Sequence, residues 1–153
     1  MNRLLALILA ASTIAGCATS SREDSIRDVD ENVNQLEIQA GESRTLSGLA
    51  KLEESLTRYI ETEKKIPETL DEMVPKYLAD MPTVEIHVRG HHDTDKTKVY
   101  PSYVLRDGQI DGTKLKDTGR WGYVFNDRQV VVFIDCTHKS SRGRAWYLER
   151  GVY

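Results

Sequence analysis

The stretch LSGLAKLEESLTRYIETEKKIPETLDEMVPKYLADMP, Leu46 to Pro82, decides the fold. Leu49, Leu52, Leu56 and Tyr59 recur at three- and four-residue steps, with Leu46 and Ile60 beside them. That spacing places them on one face of a helix. Lys51, Glu53, Glu54, Arg58, Glu61 and Lys64 fall largely on the other face, where Glu54 and Arg58 are one turn apart. A stripe of this kind is core rather than a cofactor site. The helix is expected to stop before Pro67, because a residue preceding proline is pushed out of the helical region. Thr69-Leu70-Asp71-Glu72 then fits a capping box that opens a second, short helix, with Leu70, Met73 and Val74 facing inward. Pro75 cannot continue that helix and starts a fresh turn. Pro82 sets up an extended exit.

The second half reads as strands. Val84, Ile86 and Val88 alternate with Glu85, His87 and Arg89, the pattern of a half-buried strand ended by Gly90. Val99 to Leu105 predicts another, with Pro101 marking an edge or a bulge. Asp107-Gly108 and Asp111-Gly112 are turn signals in a long loop from Arg106 to Gly119. Trp121 to Phe125 and Val130 to Ile134 predict a hairpin through Asn126-Asp127-Arg128-Gln129. Ala145 to Leu148 reads as a last strand. Trp121, Tyr123, Phe133, Trp146 and Tyr147 supply the bulk between sheet and helix. The fold class is therefore α+β, one long helix packed on an antiparallel sheet of about four strands.

Two segments carry a family resemblance. IPETLDEMVPKYLADMP, Ile66 to Pro82, resembles the segment that follows the long helix in type II secretion pseudopilins and related type IV pilin-like proteins. The residues that carry it are Ile66-Pro67, Leu70, Met73-Val74, Tyr77-Leu78 and Met81-Pro82. DTGRWGYVFNDRQVVVFID, Asp117 to Asp135, is similar to the Gly-Trp-x-Tyr hairpin of the same proteins. The pattern is scattered over Leu46 to Asp135. It implies a pilin-like domain and protein partners in a secretion or pilus assembly.

The start of the chain departs from that family. Arg3 precedes an apolar run, Leu4 to Ala11, too short to span a bilayer as a stable helix. Ile14-Ala15-Gly16-Cys17 matches a bacterial lipobox. Residues 1–16 are expected to be a lipoprotein signal peptide, with Ile14, Ala15 and Gly16 read by the signal peptidase. The Cys17 thiol would take up the lipid, including palmitate, and several acyl chains anchor firmly. Ala18 stands where aspartate is the usual inner-membrane retention signal. The expected location is the outer membrane, facing the periplasm. The lipobox stands in place of the pseudopilin Gly-Phe processing site and polymerising apolar helix, so an accessory component is expected rather than a filament subunit.

The 153 residues leave room for one domain after the leader, expected over residues 45–153. Residues 1–16 hold Arg3 alone among charged side chains, so the 21 basic residues become 20 against 24 acidic, a net charge of -4. That balance argues against nucleic acid as a partner, which calls for a basic face. With Cys17 lipidated, Cys136 has no second cysteine for an internal disulfide. Residues 17–44 form the lipidated tether and an acidic spacer, with seven acidic and three basic residues between Arg22 and Arg44. Ile26, Val29, Val33 and Leu36 also keep the three-four spacing. The spacer is either a solvated helix or a partly disordered segment, or a helix that docks on a partner or extends the Leu46 helix across Gly41. The two stripes are out of phase, which disfavours one continuous coiled-coil seam.

Three candidate sites remain. His87, His91 and His92, with Asp93 and Asp95, have the donor types of a zinc, copper or nickel site. Asp93, Asp95, Asp107, Asp111 and Asp117 offer loop oxygens for calcium, which some pseudopilins hold in a sheet loop of different sequence. Cys136 and His138 fall on one face of an extended chain, the arrangement of a thiolate nucleophile. No orienting acid or oxyanion loop accompanies that pair in the sequence, and no nucleophile elbow, phosphate loop or HExxH motif occurs. The expectation is a non-enzymatic envelope lipoprotein without a cofactor. It would serve as an accessory or structural component of a type II secretion or pilus-like machine. The alternative is a periplasm-facing binding lipoprotein that captures a metal ion through the His87/His91/His92 loop.

Overall fold

The structure is a computed structural model; it describes the backbone of residues 20–151 and the side chains of residues 26–151. The expected signal peptide, the expected recognition residues Ile14, Ala15 and Gly16, and Cys17 lie outside the described residues. The chain divides into two units, one up to Asn34 and one from Gln35 onward. The architecture is broadly α+β, a long N-terminal helix and a small mixed sheet.

Helix α1 spans Ser20–Glu63. It passes through Gly41, so the acidic spacer from Arg22 to Arg44 is helical rather than partly disordered. In the first unit Ile26, Val29 and Val33 are exposed. Leu36, just beyond it, is 65% exposed, whereas Leu49 and Leu52 are fully buried. At about 100° per residue, Leu36 and Leu49 point roughly 140° apart around the axis. Burial against the domain begins at Gly41 and Glu42, ahead of residue 45. The helix ends at Glu63, and Lys64 takes a positive φ of 57° there.

The sheet contains β1 (Thr97–Tyr100), β4 (Trp121–Phe125) and β5 (Val130–Ile134), in the order β1-β4-β5. The β4–β5 hairpin forms over the strands the sequence predicts, with Trp121 opposite Ile134 and Tyr123 opposite Val132. The sheet is not purely antiparallel, however. β1 runs parallel to β4, Thr97 beside Trp121 and Tyr100 beside Val124. A parallel neighbour needs a crossover, which a tight turn cannot supply. The long loop after Tyr100 is that crossover. It carries a two-residue hairpin, β2 (Leu105–Arg106) with β3 (Gln109–Ile110), turned by Asp107 and Gly108 at φ 51° and 80°.

Three expected strands are corrected. Val99 to Leu105 is strand only to Tyr100 and then a 3-10 turn, Ser102–Val104, because Pro101 cannot donate to the ladder. Ala145 to Leu148 is a 3-10 turn, Trp146–Leu148, with a single bridge from Ala145 to Lys139. Val84 to Val88 keeps its alternation, Val84 and Ile86 buried and His87 exposed, but forms only one bridge, Val84 to Thr94. Its backbone is satisfied by α1 instead. The Thr45 hydroxyl donates to the Glu85 carbonyl (3.1 Å) and accepts from the Glu85 N–H (2.7 Å). Arg44 pairs with the Glu85 carboxylate at 2.5 Å. His87, at φ 48°, breaks the extended run. Its imidazole lies so close to α1 that a Cβ on Gly41 would fall 2.4 Å from Nε2.

One side of the hairpin carries Trp121, Tyr123, Val132 and Ile134 into a core with Leu46, Leu49, Leu52, Leu56 and Tyr59 of α1. The other side packs Val124 and Phe133 with Tyr100, Val104 and Ile110. The connector from α1 to β1 packs into the first of these cores through Leu70, Met73, Val84 and Ile86. Leu70 and Met73 of its 3-10 helix, Leu70–Met73, are buried. Glu72 Oε1 accepts from the backbone N–H of Glu68 (2.7 Å) and Thr69 (3.2 Å), and Oε2 accepts from the Tyr59 hydroxyl (2.9 Å). The Tyr59 bond and these amides hold the Glu72 carboxyl below its ordinary value against partial burial. Trp121 Nε1 donates to the Pro82 carbonyl (2.6 Å) and the Tyr123 hydroxyl to that of Pro67 (2.7 Å).

Leu52→Ala is expected to lower the unfolding free energy by about 2–5 kcal/mol, since it opens a cavity under Trp121 and Tyr123. Val33→Ala, on the exposed stripe, should change it by less than about 0.5 kcal/mol. Urea denaturation of the full chain checks both; equal effects would contradict the assignment of faces.

Candidate metal centre

Gly90, at φ 91°, turns the chain so that His91 faces back toward the sheet, its N–H donating to the Val88 carbonyl at 3.0 Å. The His91 ring packs over Gly119, where an added Cβ would meet the imidazole at 2.8 Å. Gly119 has φ 69° and its N–H donates to the Asp135 carbonyl (2.8 Å) just past the end of β5. The adjoining residues are fixed by one buried carboxylate. Asp135, fully buried, accepts from the N–H of Asp117 (3.3 Å), the N–H of Thr118 (3.1 Å) and the Thr118 hydroxyl. Asp117 is thereby held at φ 55° beside the exit of β5. Cys136, also fully buried, and His138 follow on that exit. The segment is paired with the last 3-10 turn, since Tyr147 N–H donates to the Cys136 carbonyl (3.1 Å) and Trp146 N–H to that of His138 (3.0 Å).

Four side chains converge. His91 Nε2 lies 3.6 Å from Asp117 Oδ1, and His138 Nδ1 lies 3.5 Å from Asp117 Oδ2. Cys136 Sγ lies 3.5 Å from His138 Nδ1, and the two imidazoles meet edge to face at 5.4 Å. One donor atom from each of the four residues lies within 4.8 Å of all the others. Asp117 Oδ1 also accepts from the Thr137 N–H at 2.7 Å. Burial pushes the Asp117 carboxyl up, but the Thr137 bond and the nearby imidazoles outweigh it and hold it below its ordinary value. Burial pushes the Cys136 thiol up to about 12, and Asp117 and Asp135 push the same way. A thiol held protonated in this way is a poor nucleophile by itself.

The histidine loop does not assemble as a site. His87, His92, Asp93 and Asp95 are exposed, and Asp95 pairs with Lys96 at 3.4 Å. Only His91 of that set joins the cluster. The calcium set is likewise dispersed. Asp107 lies near Arg106, and Asp111 accepts from Thr113 N–H (3.0 Å) as a turn cap. Among the described residues His91, Asp117, Cys136 and His138 are the one group of His, Cys and acidic side chains close enough to share an ion. Asp117 was legible only as a loop acid, and the Cys136-His138 pair only as two neighbours on one face. No family model, no curated protein and no solved structure matches the chain.

Asp135→Ala removes the acceptor that fixes residues 117 and 118. It is expected to cost about 2–4 kcal/mol of stability, measured by chemical denaturation, because several bonds to a buried charge are lost together. A cost below about 1 kcal/mol would show that Asp117 is positioned by something else.

Proposed function

We propose that the chain is a lipid-anchored envelope protein, held at the outer membrane through Cys17 and facing the periplasm, that acts as a non-enzymatic accessory component of a type II secretion or type IV pilus-like machine. The observation that carries this reading is the exposed stripe of α1. Ile26, Val29 and Val33 of the first unit are 57%, 59% and 49% exposed, and Leu36, at the start of the second, is 65% exposed. Their 3-4-3 spacing is that of a seam awaiting another helix. The acids around them, among them Asp28, Asp30, Glu31 and Glu37, favour a partner with basic flanks. The pilin-like order of long helix, proline-containing connector and Gly-Trp-x-Tyr-type hairpin supports the choice of machine. No helix among the described residues is long and apolar enough to cross a membrane, so the proposed attachment rests on the lipid. Metal capture through His87, His91 and His92 is the weaker reading, since His87 and His92 stand exposed outside the cluster.

A photocrosslinking residue in place of Val29 or Val33, used in cells, is expected to capture a secretin, pseudopilin or pilus protein. Cys17→Ser should abolish both the capture and the membrane attachment. Capture of bulk envelope proteins alone, or unchanged attachment of Cys17→Ser, would contradict the reading.

A further inference from the structure

We propose that His91, Asp117, Cys136 and His138 form a four-ligand structural zinc site. The donor set is one sulfur, two imidazole nitrogens and one carboxylate oxygen, a combination that suits zinc and not the all-oxygen shells of calcium or magnesium. Four protein ligands close the coordination sphere, which is the structural rather than the catalytic form of such a site. Ligands on tetrahedral zinc, at about 2.0–2.3 Å from the ion, stand roughly 3.3–3.8 Å from one another. His138 Nδ1 stands 3.5 Å from both Cys136 Sγ and Asp117 Oδ2, near that spacing, while His91 Nε2 stands 3.6 Å from the other oxygen, Oδ1; one donor atom from each residue lies within 4.8 Å of all the others, so binding would draw the four slightly together.

An independent observation points to a ligand. The His91 side chain is 7% exposed, and its Nε2 is buried without any hydrogen-bond partner while aimed at Asp117. A buried polar atom left unpaired is costly, and a zinc ion would complete it. The charges also balance. The Asp117 carboxylate and a Cys136 thiolate supply two negative charges to the divalent ion, so the half-buried centre would be neutral. Coordination replaces the Cys136 S–H bond by S–Zn, and the proton goes to solvent.

Thr137 N–H holds Asp117 Oδ1, Asp135 holds the amides of residues 117 and 118, and Gly119 makes room for the His91 ring. The ion would tie the His91 turn, the loop before β4 and the exit of β5 to one another. Its role would be to lock that end of the sheet. The site needs neither the lipid anchor nor any machine partner, so its failure and theirs are separable.

The test uses the full-length chain in detergent, stripped with a chelator and titrated with zinc or cobalt(II) alone. The expected result is saturable 1:1 binding with a rise in Tm of roughly 5–10 °C at a hundredfold excess over Kd. Cobalt should give a thiolate charge-transfer band and the visible bands of tetrahedral coordination. Cys136→Ser should remove the thiolate band, and His138→Ala should weaken zinc binding by at least tenfold. His92→Ala with Asp93→Ala should leave both unchanged. Because the cobalt spectrum is read on the unaltered chain, it decides the matter even if a variant fails to fold. No 1:1 binding, a cobalt spectrum without thiolate, or binding lost in the His92/Asp93 variant and kept in Cys136→Ser would overturn the proposal.

Discussion

Trp121 and Tyr123 sit where everything else meets. Their rings fill the space over the leucine stripe of α1, and their polar ends hold the two carbonyls, at Pro82 and Pro67, that bracket the connector. Each side chain therefore joins three parts of the chain at once. The two carbonyls lie beside prolines, where the backbone bends and regular pairing stops. An indole N–H or a phenol O–H that reaches them satisfies groups that no strand or helix could. The alternation of β4 makes this possible, because Trp121 and Tyr123 share a face while Gly122 turns away to lie under Phe133.

The same hairpin positions the candidate metal centre. β5 ends with Asp135 pointing back at the loop that leads into β4, and the next residues deliver Cys136 and His138. The site is thus a consequence of where β4 begins and β5 ends, with His91 folded over it from the connector. At the opposite sequence extreme, every residue of α1 from Ile26 to Glu37 is exposed, the apolar stripe among them.

The local elements were readable because each obeyed a local rule. The leucine stripe, the stop before Pro67, the reach of Glu72 back to Thr69 and the Asn126–Gln129 hairpin all stand as the sequence implies. What was not readable depended on contacts between distant segments. Val84 to Val88 alternates like a strand, yet Thr45 on α1 takes the bonds a neighbouring strand would have made. The parallel pairing of β1 with β4 depends on a crossover whose path carries no periodic signal. The histidine loop drew attention because its ligands were adjacent in sequence, whereas the side chains that converge come from residues 91, 117, 136 and 138. Sequence adjacency measures reach along the chain, and a four-ligand centre is built across it.

The most direct measurement is zinc-edge X-ray absorption on the full-length protein isolated from its own cells without added metal. The account predicts one zinc per chain, with one sulfur near 2.3 Å and three nitrogen or oxygen ligands at about 2.0–2.1 Å. A chain isolated without zinc, or a zinc shell of nitrogen and oxygen alone, would contradict it.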